Sequence, residues 1–294
     1  MPLRLRTHLQ NLRLPADPRY FQIAVLSALW LYGLRSFDFG MPFGQSVLTL
    51  TAALGFQCLF SKIYKLPVFD PRSPLISGLS LCLLLRAGSP WLAVAAAGIT
   101  IGSKFLVRTK TGHIFNPTNF GIVVLLLLSD QVWVSPGQWG SGTLLAFLFA
   151  CTGVLVLNRA ARSDITFAFL GFYAAMIFGR ALYLGDPIAI PIRQLQGGSL
   201  LLFAFFMISD PKTTPRSRAG RLVFAFIVAA LGVGLTYNWY HPLRNGIFYA
   251  LALGSLTLPI LNTWKPGPIY KWRTTPKEKQ NEKQEIIGTR VPAA

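Results

Sequence analysis

Apolar runs of about 14–23 residues, separated by short polar connections, recur from residue 20 to residue 264. They fall near 20–36, 45–61, 73–86, 90–107, 116–131, 140–158, 164–183, 193–209, 219–238 and 245–263. Runs of this length suit helices that cross a bilayer, where every backbone polar group must be satisfied within the segment. The pattern therefore predicts an all-α integral membrane protein with about ten transmembrane helices. It divides the chain into a basic N-terminal segment (1–19), a membrane domain (20–264, halves about 20–131 and 140–264) and a polar tail (265–294).

Charge changes the picture by orienting these spans. With the N-terminus in the cytoplasm, 23 of the 28 Lys and Arg residues fall in inside segments. The outside loops keep only Arg35, Arg86, Arg180, Arg193 and Arg244. An incorrect span count would scramble this alternation, so both termini are expected inside. Trp91, Trp133, Trp139, Trp239 and Trp264 lie near span ends, as interfacial belts require. The formal charge of +18 would suggest nucleic acid on a soluble domain, but topology accounts for it here. Charged residues make up 13% of the chain, about half the usual share of a soluble domain.

Acidic and sulfur chemistry is sparse. The seven acids before residue 270 are all Asp, each at or near the end of an apolar run. That weighs against a proton relay or carboxylate ion site in mid-span. Cys58, Cys82 and Cys151 stand singly in apolar segments, which reads as packing rather than metal binding. The N-terminus lacks the short apolar core and cleavage site of a signal peptide; it reads as a surface-lying lead-in.

Two five-span halves have opposite orientation, the arithmetic of an inverted repeat. Short, Gly-interrupted segments stand at matching places: span 3 (SPLISGLSLCLLLRAGSPW) and span 8 (QLQGGSLLLFAFFMISDPKTTP). Two further stretches carry candidate chemistry. In GHIFNPTNFG (112–121), Asn116-Pro117 suits a helix start, with Thr118 and Asn119 in its first turn. Such an end binds an anionic or carbonyl-rich ligand, or is simply a capped helix. In FFMISDPKTTPRSRAGR (205–221), Asp210, Lys212, Thr213 and Thr214 precede Arg216, Arg218 and Arg221. Hydroxyls, cations and a helix start suit a phosphate; the alternative is an ordinary basic inside loop. ARSDITF (161–167) reads as a capped start of span 7. Walker, dinucleotide, zincin and nucleophile-elbow signatures are absent, and no catalytic motif is complete.

In this order, the segments 77–91, 112–121 and 205–221 resemble the RnfD/NqrB family, the related membrane subunits of the Rnf electron-transport complex and the sodium-pumping Nqr complex. The third segment, similar to the family's FFxxTDPVTxxxTxxGR-type stretch, is the most specific. The resemblance spans roughly residues 70–270. It implies ten helices in two inverted five-helix repeats, with helices 3 and 8 short and broken, distantly similar to urea transporters. It also implies a bacterial inner membrane, other membrane or redox subunits as partners, and flavin-dependent electron transfer.

Family members with covalent FMN use an S-x-A-T-type motif after the Asn-Pro helix. Here that connection is DQVWVSPGQWGSGT, whose Ser141-Gly142-Thr143 lacks the Ala before Thr. The resemblance thus points to a divergent, stand-alone or UnbU-like branch, with any flavin (FMN or riboflavin) held non-covalently. Asn116, Thr118 and Asn119 would meet its ring or ribityl chain. Asp210, Thr213 and Thr214 would complete the site, with Lys212 or Arg216 at a phosphate. Competing readings are a small-solute transporter or channel on the same scaffold and a cofactor-free scaffold subunit. A lipid bilayer is a partner in all three; nucleic acid is not.

Overall fold

The computed structural model describes residues 17–36, 42–109, 112–134, 163–237 and 245–270. Eleven helices dominate these residues. They are α1 (Pro18–Ser36), α2 (Phe43–Ile63), α3 (Arg72–Leu84), α4 (Pro90–Leu106), α5 (Pro117–Leu128) and α6 (Ser163–Leu184), followed by α7 (Ala189–Leu195), α8 (Gly198–Met207), α9 (Arg218–Thr236), α10 (Gly246–Ser255) and α11 (Leu258–Trp264). Four short strands form two antiparallel pairs: β1 (Leu85–Ala87) with β4 (Val132–Val134), and β2 (Arg108–Thr109) with β3 (Gly112–His113). Expected spans 1–5 coincide with α1–α5, span 7 with α6, span 8 with α7 and α8, span 9 with α9, and span 10 with α10 and α11. Span 6, the 141–143 triplet, Cys151, Trp139, Trp239 and most of the two terminal segments lie outside the described residues.

Local chemistry sets the helix starts. Ser89 caps α4 and Pro90 takes its first position. Asn116 and Pro117 do the same for α5, and Ser217 caps α9. Three helices, α2, α6 and α9, are long and apolar enough to cross a membrane singly. The pairs α7–α8 and α10–α11 pass that test together but bend by 47° and 50°. The chain is a multi-pass helical membrane protein.

The burial pattern of α2 shows which solvent it meets. Its inward seam is small and polar: Ser46, Thr49, Ala53, Gln57 and Ser61 are buried. Its exposed positions include Val47, Leu48, Leu59 and Ile63. An apolar exterior around a small-residue seam suits close helix packing in lipid. Trp30 Nε1 donates to Ser46 Oγ across this seam (3.2 Å), and Gly78 of α3 lies against Leu50 and Ala53. Trp91, Trp133 and Trp264 are exposed at segment ends, as the aromatic-belt expectation requires. Cys82 is buried, whereas Cys58 is exposed and so departs from the packing role expected of it.

α8 is the irregular element. It begins at Gly198 as α-helix and continues from Phe203 to Met207 as π-helix. Thr166 Oγ1 of α6 donates to the Ala204 carbonyl (2.9 Å) within the widened turn. Phe203 packs on Phe169 and, edge to face, on Phe248 of α10. π-helical turns recur at functional positions, and this one ends three residues before Asp210.

Two charged clusters fasten segment ends. Arg19 and Arg72 each bridge Asp17 and Asp70 (2.6–2.8 Å), tying the start of α1 to that of α3. Arg221 forks onto Asp164 at the start of α6, at 2.5–3.0 Å. Arg86, expected in an outside loop, is instead buried at 2% exposure and donates to the Cys82 and Leu85 carbonyls. The antiparallel pairing of β1 with β4 draws it inward, because Leu85 leaves α3 in extended conformation.

Candidate functional site

The second and third motifs meet at one end of the bundle. Asn116 is the hinge of that meeting. Its Oδ1 accepts from the Asn119 N–H (3.1 Å), capping α5. Its Nδ2 donates to the Met207 carbonyl (3.3 Å) at the end of α8 and, more weakly, to Asp210 Oδ2 (3.5 Å). Asp210 Oδ1 accepts from the Lys212 N–H (3.0 Å), closing the turn after the π-helix. Gly112 completes the contact, since a Cβ there would lie 3.5 Å from the Lys212 carbonyl oxygen.

Two cavities flank this junction. The first, about 180 Å³, lies among the starts of α1, α3 and α5, the end of α4 and the end of α8. Asn116, Thr118, Asp210 and Lys212 line it, together with Lys104 and Asp70. The second, about 740 Å³, is wider and is lined by Arg108, Lys212, Thr214, Arg216, Asn262 and Tyr270, among others. Lys212 and His113 border both. Burial, reinforced by the cations Lys212, Lys104 and Arg108, pushes His113 down to about 4, so its ring is neutral at physiological pH.

The eight residues singled out from the sequence therefore divide. Asn116, Thr118 and Asp210 face the small cavity, Thr214 and Arg216 the large one, and Lys212 both. Asn119 borders neither; its Nδ2 donates to the Phe248 carbonyl (3.0 Å), joining α5 to α10. Thr213 is buried with its hydroxyl turned back toward the Asp210 carbonyl (3.5 Å). Arg221, the last cation of the third motif, is held by Asp164 and the Arg216 carbonyl. Asp164 thus does more than start α6.

Four cavity residues were not legible as such. Lys104 counted only as an inside charge, yet the last turn of α4 buries it at 7% exposure, with Nζ 3.1 Å from Ser73 Oγ. Ser73, Ser77 and Ser80 lie three or four residues apart on the cavity side of α3. The Gly-interrupted third run pointed to a special helix, but nothing in the sequence marked its Ser face.

The fold and this site define a class, a multi-pass helical membrane protein with polar cavities at broken helices. Comparison with known proteins is narrower. Residues 127–270 match the NQR2, RnfD, RnfE family. The match covers just under half of the chain and contains the third motif. The RnfD protein of an ion-translocating oxidoreductase complex from Citrobacter koseri is 28% identical over 119 residues, 40% of this chain and 33% of the relative. Its counterparts of the same name from Escherichia coli O81 and O6:K15:H31 are 28% identical over 144 residues, 49% of this chain and 36% of each relative. The match thus spans about a third of these relatives' length.

Proposed function

We propose that the chain is an RnfD-like membrane subunit of an ion-translocating oxidoreductase complex in a bacterial inner membrane, working with other membrane or redox subunits. The observation that carries this reading is the family match over 127–270, whose third motif folds against Asn116. Both termini are placed in the cytoplasm, on the distribution of basic residues.

Ten spans in two inverted halves complete the reading, and three correspondences support it. Span 2 packs on span 4 and span 4 on span 5 in the first half; span 7 packs on span 9 and span 9 on span 10 in the second. Gly121, at the start of α5, faces Thr100 Oγ1 and the Ala96 carbonyl of α4; Gly246, at the start of α10, faces Thr236 Oγ1 and the Gly232 carbonyl of α9. Both glycines stand in a Pro-x-x-x-Gly-Ile sequence, at Pro117 and Pro242. The segments after spans 3 and 5 pair as β1 and β4, and those after spans 8 and 10 meet where Gly267 presses on the Arg216 backbone.

The electron carrier in this reading is a non-covalent flavin in the larger cavity. The smaller one, at about 180 Å³, falls below the roughly 300 Å³ where sites for drug-sized ligands begin. The larger, at about 740 Å³, has room. Arg108, Lys212 and Arg216 would hold a phosphate, and the buried Thr214 hydroxyl, without a partner among the described residues, would add a hydrogen bond. A bound flavin would supply one- and two-electron chemistry; these residues would hold and orient it.

Purification of the full-length protein from its own membranes in mild detergent tests the assignment. Co-purifying redox subunits and bound flavin are expected. A solitary, colourless protein that carries a small solute into liposomes would favour a transporter, the reading that the bent pairs α7–α8 and α10–α11 support.

A further inference from the structure

The smaller cavity has chemistry of its own. Lys104 is 7% exposed, and its only hydrogen bond among the described residues is to Ser73 Oγ, which leaves two ammonium protons without a protein acceptor. No carboxylate lies within ion-pair distance of it among those residues. A buried cation with no carboxylate in ion-pair contact is costly in any protein and marks function inside a membrane.

The carboxylates that border the cavity are already engaged. Asp70 is held by Arg19 and Arg72, and Asp210 accepts from Asn116 Nδ2 and the Lys212 N–H. Lys212 adds a second cation to the wall. α5, twelve residues long, points its N-terminus at the same space. Within its first turn, Pro117 has no N–H and the Asn119 and Phe120 N–H groups are bonded to Asn116. The Thr118 N–H has no acceptor inside the helix, at the positive end of the dipole. Ser73, Ser77, Ser80 and Thr118 supply hydroxyls around it.

We propose that this cavity binds a small free oxyanion of the phosphate or sulfate class, held by Lys104, the hydroxyls of α3 and the start of α5. Its volume of about 180 Å³ suits an ion of a few heavy atoms and is too small for a nucleotide-sized ligand. The site does not depend on the flavin reading, which concerns the larger cavity beyond Lys212.

Equilibrium dialysis of radiolabelled sulfate against the full-length protein in mild detergent at low chloride tests it. Saturable binding of one sulfate per chain, displaced by inorganic phosphate, is expected. Lys104→Met should weaken it at least about tenfold, the loss of one charge-assisted contact. Ser77→Val, which narrows the cavity and leaves Lys104 in place, should weaken it too and decides the matter if Lys104→Met does not fold. Lys62→Met, at an exposed position, should bind like the wild type. Undiminished binding in both cavity variants overturns the proposal. So does displacement of sulfate by stoichiometric FMN, which would make the anion the phosphate of a flavin.

Discussion

Asn116 offers the sharpest test of how the two motifs are joined. Replacing it by Ala removes the cap of α5, worth about 1 kcal/mol. It also removes the 3.3 Å bond to the Met207 carbonyl, about 0.6–1 kcal/mol in a membrane bundle. The 3.5 Å contact with Asp210 adds little. The expected loss is about 2 kcal/mol. Asn116→Ser keeps a cap and should lose about half of that. Asn116→Asp also keeps a cap, but sets a second carboxyl about 3.5 Å from Asp210 Oδ2.

Two ionised carboxylates at that distance repel by up to about 5 kcal/mol at an effective dielectric of about 20, so one of them takes up a proton. Burial already pushes the Asp210 carboxyl above its usual range. A carboxyl with a raised folded pKa destabilises as pH rises through the carboxylate range. Thermal unfolding in detergent at pH 5 and pH 8 reads the difference. The Asp variant should approach wild type at pH 5 and fall well below it at pH 8, while the Ala variant stays low at both. An Ala variant as stable as wild type, or an Asp variant indifferent to pH, would refute the joining role of Asn116.

Gly121→Val should destabilise by about 1–3 kcal/mol or more, since even a Cβ there would come within 3.2 Å of the Ala96 carbonyl and collide with the Thr100 hydroxyl; Gly171→Ala, in open space, is the neutral control in the same unfolding assay. Arg221→Met strands the Asp164 carboxylate and should cost about 3–5 kcal/mol, and the double variant Arg221→Met, Asp164→Leu should recover much of it. Although burial opposes it, Arg72 and Arg19 hold the Asp70 carboxyl below its usual range. The stability it contributes is therefore complete above its unfolded pKa of about 3.9 and is lost as pH falls through the lower folded value. Acid titration should release the start of α1 from α3, seen as faster hydrogen exchange near residue 20, and Asp70→Asn should show the same release at neutral pH.

Much of this architecture was legible because membrane solvation leaves a one-dimensional trace. Apolar run length located the helices, and Asn116-Pro117 marked a start that the structure places within a residue of expectation. Gly197-Gly198 and the stop at Asp210-Pro211 likewise marked α8 as short, although no pattern in FAFFM announced a π-helix. The site was half legible. Motif chemistry brought Asn116, Asp210 and Lys212 to one junction, but it did not announce that Asn119 Nδ2 bonds to Phe248 or that the Thr213 hydroxyl turns toward the local turn. Lys104 was counted as an inside charge and Arg86 as an outside-loop charge because the positive-inside rule counts charges without depth. Their burial depends on which helices pack beside α4 and β1, a three-dimensional fact that run lengths do not carry.

The central claim is that this end of the bundle holds a flavin without a covalent bond. The most direct measurement is the absorption spectrum of the full-length protein purified in mild detergent, taken before and after acid precipitation. A flavin band should be present in the wild type, pass to the supernatant on precipitation, and be strongly reduced in an Arg216→Ala, Lys212→Ala double variant. A band that stays with the pellet, a band untouched by that double variant, or none after flavin is supplied would contradict the account.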